Sequence, residues 1–277
     1  MESSILSFQM PKNACNSHLH IIDPKYPNNG KAAAQKGTVE EYRKIAEKLG
    51  FERAVFVQAK VFGTDNTCLT DAIAAYGRSK AKGIAVVNNS ISDAELRDLE
   101  RKGVVGLRFS LWNPKNAVVS YEDCLPLAKR IADMGWHVQL HMGAAQLLEH
   151  ADDLKSLPCP IVIDHMGRLD PAKGTDDPAF RFICSLIDAG HTWVKLSGPY
   201  LNTTVGRPWP DAAKVAKAIA SYAPERVVFG TDFPHTTEKI KPSEIELTEL
   251  AASWFPTAHA RELALVKNPE ELYGFGK

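Results

Sequence analysis

The sequence predicts an α/β fold, a single (β/α)8 TIM barrel with an extra C-terminal helix. Short β-branched runs alternate with longer stretches of helical periodicity, and eight such pairs follow one another. The chain has 277 residues, and barrels of this kind use about 250 residues as one domain. We therefore expect residues 1–277 to form one barrel domain, with a helix at residues 257–273 packed on its outside.

Eight short runs rich in β-branched and aromatic residues are the predicted strands. In chain order they span residues 14–20, 54–58, 84–88, 104–109, 137–141, 161–165, 193–197 and 227–231. Irregular segments at 23–37, 113–119, 169–177 and 202–210 each follow one of these strands. In a barrel, the loops that follow the strands form the catalytic face, so we expect the functional site there.

Capping signals mark the helices between the strands. Three pairs fit the capping box, in which side chains satisfy free backbone N–H groups at the helix start: Thr38 with Glu41, Ser92 with Glu95, and Ser243 with Glu246. Four glycines stand where a left-handed residue commonly ends a helix: Gly50, Gly103, Gly135 and Gly190.

Charge and composition exclude several classes of protein. The 33 Lys and Arg residues balance 33 Asp and Glu residues, and the sequence pI is about 7.1. A chain with no basic excess is a poor nucleic-acid binder, and it lacks the polybasic stretch that holds proteins on anionic membranes. The N-terminus is not leader-like, and no apolar run is long enough to span a bilayer. Five scattered cysteines without a C-x-x-C pair indicate neither disulfides nor a thiolate zinc site, so we expect a cytoplasmic protein.

Polar residues stand at the carboxyl end of every predicted strand. They are His18 and His20, Gln58, Asn88, Arg108, His141, His165, Ser197 and, just past the eighth strand, Asp232. Barrel strands are apolar where they pack and polar where they face a site. The pattern therefore predicts a single functional basin.

Four of these residues form a candidate metal site. His18 and His20 are two positions apart, so both imidazoles point to one face of their strand. Together with His141 and Asp232 they offer three nitrogens and one carboxylate, a ligand set suited to a divalent metal, Zn²⁺ first, with an open position for water. The alternative is that the H-x-H pair is incidental.

Four segments of the chain carry a family resemblance. They are N-S-H-L-H-I-I-D-P at 16–24, V-I-D-H-M-G-R at 162–168, K-L-S-G-P-Y at 195–200 and A-P-E-R-V-V-F-G-T-D-F-P-H at 223–235. In this order they resemble the amidohydrolase superfamily, in the branch that contains 2-pyrone-4,6-dicarboxylate lactonase and D-galactarolactone isomerase. The resemblance implies a barrel that acts on a lactone, with Asp232 activating water and with His18, His20 and His165 around the substrate carbonyl.

The chain departs from these relatives at three positions. The pyrone lactonase pattern is metal-independent and lacks a histidine on the fifth strand, where this chain has His141. It also has an arginine where this chain has Leu201, which argues against the pyrone dicarboxylate itself as substrate. The isomerase has Asn at the position of Asp232, so the carboxylate here favours hydrolysis.

The remaining candidates are substrate contacts. A guanidinium presents a bidentate fork to a carboxylate, so Arg108 and Arg168 are expected to hold a substrate carboxylate; the alternative is pairing with a loop acid. Tyr200, Asn202 and Arg207 lie on the seventh loop, and His235 follows Asp232, either at the rim or behind the site. His165 either donates to the carbonyl oxygen or is a core histidine, and the alternative for Asp232 is a turn aspartate.

These observations predict a hydrolase that opens a small anionic, carboxylated lactone of the sugar-acid, muconolactone or pyrone type. The alternatives are a lactone isomerase, a metal-dependent decarboxylase and a non-catalytic barrel that binds a small acid. The sequence leaves the oligomeric state open, a homo-oligomer included.

Overall fold

Eight parallel strands form one sheet in the order β1 to β8, as the alternation predicts. The structure is a computed structural model that describes residues 5–30, 32 and 34–276. Residues 1–4, 31, 33 and 277, which fall within the predicted domain limits and the first predicted loop, lie outside the described residues. The strands are β1 (Cys15–Leu19), β2 (Arg53–Val57), β3 (Ala81–Ala85), β4 (Val104–Ser110), β5 (His137–His141), β6 (Ile161–Ile163), β7 (Thr192–Leu196) and β8 (Val227–Phe229).

The barrel closes between β1 and the segment directly after β8. The backbone N–H of Asp232 donates to the carbonyl of His18 at 2.8 Å, and that of His20 donates to the carbonyl of Phe233 at 2.7 Å. Gly230 makes this approach possible, because a Cβ there would lie 2.6 Å from the backbone nitrogen of His18. Closure therefore brings the segment around His18 and His20 next to the segment around Asp232.

Helices surround the sheet. They are α1 (Val39–Leu49), α2 (Thr67–Tyr76), α3 (Asp93–Arg101), α4 (Cys124–Ala132), α5 (Ala144–Glu149), α6 (Ala151–Lys155), α7 (Pro178–Asp188), α8 (Pro199–Asn202), α9 (Pro210–Tyr222), α10 (Glu244–Trp254), α11 (Ala258–Glu262) and α12 (Asn268–Tyr273). Among the described residues, no helix is both long and apolar enough to cross a membrane.

Two of the three predicted capping boxes are confirmed. Thr38 and Ser92 each accept from the backbone N–H of the glutamate three residues on, and that glutamate binds back. The box at Ser243 is wrong: this residue precedes α10 but makes no side-chain cap bond. The carboxylate of Glu246 pairs instead with the guanidinium of Arg207, which outcompetes a neutral N–H donor.

The glycine predictions agree with the backbone. Gly50, Gly103, Gly135 and Gly190 all have positive φ, between 67° and 99°. Each therefore occupies a left-handed position that a residue with a Cβ adopts only with strain.

The third strand lies earlier than the hydrophobic pattern predicts. It runs over Ala81–Ala85, and the predicted strand at 84–88 is displaced because Lys82 and Gly83 weaken the apolar signal at its true start. Asn88 is therefore exposed beyond the strand, where its side chain accepts from the N–H of Ser90. It does not reach the basin that the strand ends form.

The C-terminal tail does more than pack on the outside. After a π-helical turn at Leu263–Lys267, α12 brings Tyr273 and Phe275 into one apolar cluster with Cys15, Val55 and Ile84. Arg53, Lys82 and His137, at or next to the starts of their strands, contact these two rings, so the tail covers the amino-terminal end of the barrel. The predicted C-terminal helix is therefore present, and its last residues close this end as a plug.

Candidate functional site

A cavity of about 470 Å³ opens at the carboxyl ends of the strands. Its polar lining includes His20, Arg108, Ser110, His141, His165, Arg168 and Asp232. Ile22, Trp112 and Leu201 supply apolar wall. A second cleft of about 370 Å³ lies between the loops after β2 and β3, and no histidine lines it. The first cavity is therefore the candidate active site.

Acceptor atoms converge at one side of this cavity. Nε2 of His20 lies 3.3 Å and Nε2 of His18 lies 3.5 Å from Oδ1 of Asp232. Nδ1 of His20 is 2.9 Å from the carbonyl oxygen of Val57. Since a carbonyl only accepts, Nδ1 carries a proton, and Nε2 of a neutral ring presents a lone pair. A lone pair and a carboxylate repel, so the arrangement requires a proton or a cation between them.

Asp164 fixes His18 from the barrel interior. Its Oδ1 is 3.3 Å from Nδ1 of His18, and its Oδ2 accepts from Arg108 at 2.9 Å and from Gln139 at 3.0 Å. Burial opposes the charge, but the attraction of His18 and Arg108 outweighs it, so the pKa of Asp164 lies well below its usual value. An ionised Asp164 favours a proton on Nδ1 of His18, which leaves the lone pair on Nε2, the nitrogen that faces Asp232.

Lys195 supports this network and does not line the cavity. Its Nζ donates to Oε1 of Gln139 at 2.6 Å and lies 4.0 Å from Oδ1 of Asp164. Burial lowers the pKa of Lys195 to about 8 against the attraction of Asp164. The contacts make this lysine a buried structural cation.

Asp232 is a buried carboxylate held at both oxygens. Oδ1 faces the two histidines, and Oδ2 accepts a hydrogen bond of 2.6 Å from the hydroxyl of Tyr200. Burial disfavours the charged form, but the hydrogen bond with His20 and the neighbouring imidazoles outweigh it. The pKa of Asp232 therefore lies well below its usual value, and the group is ionised at neutral pH. Its backbone is left-handed, with φ of 63°, a conformation that costs free energy and must be held by the surrounding contacts.

His165 and Arg168 sit on a left-handed turn after β6. All four residues of His165–Arg168 have positive φ, from 49° to 65°. Asn202 braces the turn by donating to the carbonyl of His165 at 2.9 Å. The hydroxyl of Ser197 lies 2.9 Å from Nδ1 of His165, and burial lowers the pKa of this histidine to about 4. A neutral His165 with Ser197 donating to Nδ1 presents an Nε2–H donor.

His141 lines the cavity from β5. Its Nδ1 is 3.1 Å from the hydroxyl of Ser110, and its ring centre is 5.0 Å from that of His165. Burial lowers the pKa of His141 well below its usual value. Its buried Nε2 has no hydrogen-bond partner within the described part of the chain.

Arg168 is the cation best placed for a substrate anion. Its guanidinium stacks 4.1 Å from the ring centre of Trp112 and lines the cavity. In the described ranges no carboxylate lies within 4.0 Å of it, whereas Nε of Arg108 is already committed to Asp164. Burial lowers the pKa of Arg168 to about 10, which leaves it charged at neutral pH.

The other predicted substrate contacts lie elsewhere. Tyr200 and His235 stand behind Asp232, and Asn202 braces His165 through its backbone. Arg207 is exposed and pairs with Glu246, and it is absent from the cavity lining. None of these four residues lines the cavity.

Sequence reasoning missed two residues of the network. Gln139 stands between His137 and His141 at two-residue spacing, a polar stripe that signals the inward face of β5. Glu244 contacts His235, which lies nine positions earlier in the chain, and no sequence motif indicates this contact.

The donor set fits a divalent cation. One candidate ligand atom from each of His18, His20 and Asp232 lies within 4.8 Å of the other two. Nε2 of His18 is buried and lacks a hydrogen-bond partner among the described residues. The fourth predicted ligand, His141, is not part of this group. Two imidazoles and a carboxylate suit zinc with open positions.

Comparison with known proteins gives consistent matches over nearly the whole chain. The amidohydrolase family profile matches residues 15–275. A 4-sulfomuconolactone hydrolase from Hydrogenophaga intermedia is 32% identical over 97% of this chain and 91% of its own length. A 2-pyrone-4,6-dicarboxylate hydrolase from Comamonas testosteroni is 33% identical over 96% of this chain and 92% of its own. A crystal structure of a probable 2-pyrone-4,6-dicarboxylic acid hydrolase from Acinetobacter baumannii, with citric acid bound, has a TM-score of 0.80 at 26% identity, covering 95% of this chain and 100% of that one.

Proposed function

The chain belongs to the amidohydrolase family, and from that premise we propose that it hydrolyses a carboxylated lactone. One observation carries the proposal. Asp232 is ionised, lines the cavity and is held against His18 and His20, with neutral His165 and cationic Arg168 lining the same cavity. Hydrolysis of a carboxylated ester requires a base, a hydrogen-bond donor to the carbonyl oxygen and a cation for the carboxylate, and these residues supply them.

Asp232 and His165 can together carry out the steps of the hydrolysis. Asp232 accepts a proton from the attacking water through Oδ1, since Oδ2 is occupied by Tyr200. Nε2–H of His165 donates to the carbonyl oxygen as negative charge develops there. The new C–O bond forms as the ring C–O bond breaks, and Asp232 returns the proton to the departing alkoxide. The products are a hydroxyl group and a carboxylic acid that ionises at neutral pH.

The cavity's charge defines the substrate class. Arg168 is charged and free of acidic partners among the described residues, so it holds the substrate carboxylate. Leu201 and Ile22 provide apolar wall for the ring carbons. Both hydrolase relatives act, by their names, on anionic lactones, which supports a small anionic lactone here.

We also propose a divalent metal, zinc first, held by His18, His20 and Asp232, with His141 as the additional predicted ligand. Such an ion would supply Lewis-acid polarisation of the carbonyl oxygen. The support is the convergence of acceptor atoms, one of them the buried Nε2 of His18, which has no hydrogen-bond partner among the described residues. Elemental analysis of protein purified without chelator should find about one metal per chain, and loss of metal after His18→Ala and His20→Ala checks the ligands. Full activity in protein that holds almost no metal would contradict this assignment.

The substitution Asp232→Asn tests the function. It removes the base while keeping a hydrogen-bond acceptor for Tyr200, so we expect kcat to fall about 100- to 10,000-fold. Ring opening is measured as proton release with muconolactone, pyrone dicarboxylate and sugar-acid lactones. The control is Asp188→Asn, because Asp188 also accepts from a tyrosine, Tyr222 at 2.8 Å, on the outer α7.

The outcome separates the candidate functions. Carbon dioxide release in place of ring opening would show a decarboxylase, and a shifted lactone without net proton release would show an isomerase. A wild-type protein that opens none of the lactones, with Asp232→Asn indistinguishable from it, would contradict the proposal.

A further inference from the structure

A chain of hydrogen bonds leads from Asp232 away from the cavity. The hydroxyl of Tyr200 donates to Oδ2 of Asp232 at 2.6 Å and lies 3.1 Å from Nδ1 of His235. Nε2 of His235 contacts a carboxylate oxygen of Glu244 at 2.5 Å. Neither Tyr200, His235 nor Glu244 lines the cavity. The cavity-lining side chain that these hydrogen bonds reach is Asp232.

The protons in this chain can be assigned. Tyr200 has one hydroxyl proton, and an ionised Asp232 can only accept, so that proton lies between them. The hydroxyl oxygen is then an acceptor for Nδ1–H of His235. Nε2 of the same ring faces the carboxylate of Glu244, which also accepts. The ring of His235 therefore connects Tyr200 and Glu244 through its two nitrogens.

Burial makes this pairing consequential. His235 is only 3% exposed, and the side chain of Glu244 is 12% exposed. In such a place the ring and the carboxylate depend on each other, because a buried polar group left without a partner costs free energy. The Nδ1–H of His235 in turn polarises the hydroxyl of Tyr200 and strengthens the donation to Asp232.

Asp232 needs this support. Its left-handed backbone is a strained conformation that does not by itself fix the carboxylate plane. With Oδ2 held by Tyr200, Oδ1 is the oxygen turned toward His18, His20 and the cavity.

We propose that His235 and Glu244 are positioning residues that act through Tyr200 to hold Oδ2 of Asp232, so that Oδ1 serves as the base. The inference rests on the proposed lactone hydrolysis. It assigns a role to Glu244 at the start of α10, a residue outside the active-site cavity.

A double-mutant cycle tests the chain. We expect Tyr200→Phe to lower kcat about 10- to 100-fold and Glu244→Gln to lower it about 5-fold, with KM within about 2-fold of wild type in both. In the Tyr200→Phe background, Glu244→Gln should change kcat less than about 2-fold, because the path to Asp232 is already broken. If the two substitutions lower kcat by independent factors that multiply in the double variant, the proposal is overturned.

Matched controls separate positioning from stability. Tyr222→Phe removes a tyrosine hydrogen bond to Asp188, and Glu249→Gln removes a carboxylate of the same helix that binds Ser7. Both should leave kcat unchanged. His235→Gln should show the same coupling to Tyr200→Phe that Glu244→Gln shows.

A second readout does not depend on turnover. Nitrogen-15 NMR of the histidine rings, with His235 assigned by its loss in His235→Gln, reports on both ring nitrogens. Glu244→Gln should move their signals, because it changes the partner of Nε2, and Glu249→Gln should not. Signals of His235 that do not respond to Glu244→Gln would overturn the chain.

The two readouts distinguish the failures. A His235 ring that responds to Glu244→Gln, in a protein without lactone hydrolysis, supports the chain and overturns the function. An active wild type with independent substitutions overturns the chain and leaves the hydrolysis standing.

Discussion

At the scale of single residues, environment decides which polar groups act as charges and which stay neutral. Asp164 and Asp232 are both buried, yet nearby histidines, with Arg108 beside Asp164, keep both ionised. His165 lies in the same basin, and burial keeps it neutral with a pKa of about 4. The same burial thus leaves the two aspartates ionised and the histidine neutral, because the partners differ.

Arg168 carries a prediction at this scale. Arg168→Met keeps an apolar stem against Trp112 and removes the charge. KM for a carboxylated lactone should therefore rise about 10- to 100-fold with little change in kcat, as expected for a lost ion pair in the bound state. Steady-state kinetics on a carboxylated and an uncharged lactone check this.

Arg226→Met is the matched control for that substitution. Arg226 also stacks on a tryptophan, Trp193 at 4.7 Å, but it does not line the cavity. Its KM should equal that of the wild type. An equal loss on the charged and uncharged lactones in Arg168→Met would contradict the assignment of Arg168.

At the scale of elements, the left-handed turn His165–Arg168 is the most informative piece of backbone. Four consecutive positive φ angles place His165 and Arg168 on the cavity from one short segment. The motif D-H-M-G-R contains one glycine, so local sequence alone does not indicate four left-handed residues. Contacts from Ser197, directly after β7, and from Asn202, at the end of α8, hold the turn.

Gly167→Ala tests that element. A Cβ at Gly167 would lie 2.7 Å from Cδ1 of Ile183, in addition to the left-handed φ of 65°. We expect a loss of about 2 kcal/mol or more in the free energy of unfolding, together with a lower kcat, since the turn carries His165. Urea unfolding and steady-state kinetics measure both.

Gly174→Ala separates the two contributions. Gly174 also has a positive φ, of 55°, but nothing lies within 4 Å of a Cβ placed there. It should lose about 1 kcal/mol, from the backbone alone, and keep its kcat. Identical behaviour of the two variants would mean that the packing against Ile183 is unimportant.

At the scale of the whole molecule, the barrel and its terminal plug create a buried interior rich in histidine. Burial lowers the pKa of His137 to about 3 and that of His165 to about 4. Unfolded histidine titrates near about 6.5. Below that pH the unfolded chain binds protons that the folded chain does not bind. The free energy of unfolding is therefore highest above about pH 6.5 and falls as the pH drops toward the pKa values of the folded state.

This predicts an acid-sensitive fold. At pH 5 each of these two histidines should remove roughly 2 kcal/mol from the free energy of unfolding relative to pH 8. Urea unfolding between pH 8 and pH 5 measures the slope. The slope of the unfolding free energy against pH reports how many more protons the unfolded chain binds. His137→Gln should reduce that number by about one, whereas substitution of the exposed His259 by Gln should leave it unchanged. A stability that is flat over this range would contradict the burial of both rings as neutral groups.

The sequence by itself determined the barrel and its chemistry. The strand period, the capping boxes at Thr38 and Ser92 and the polar strand ends are local patterns, and local hydrogen bonding and side-chain alternation produce them. His18, His20, His165 and Asp232 were therefore recognisable before the fold was known. The family resemblance followed from the same motifs, whereas the single-domain organisation stays a prediction.

The tertiary structure decided the partner and the charge of each group. It placed Tyr200 and His235 behind Asp232, paired Arg207 with Glu246, and turned the C-terminal tail into the barrel's plug. It also joined Asp164, Gln139 and Lys195 into one buried network. These contacts link residues far apart in the chain, and charge, burial and proton direction depend on the partner that closure of the barrel supplies. No local pattern encodes that partner.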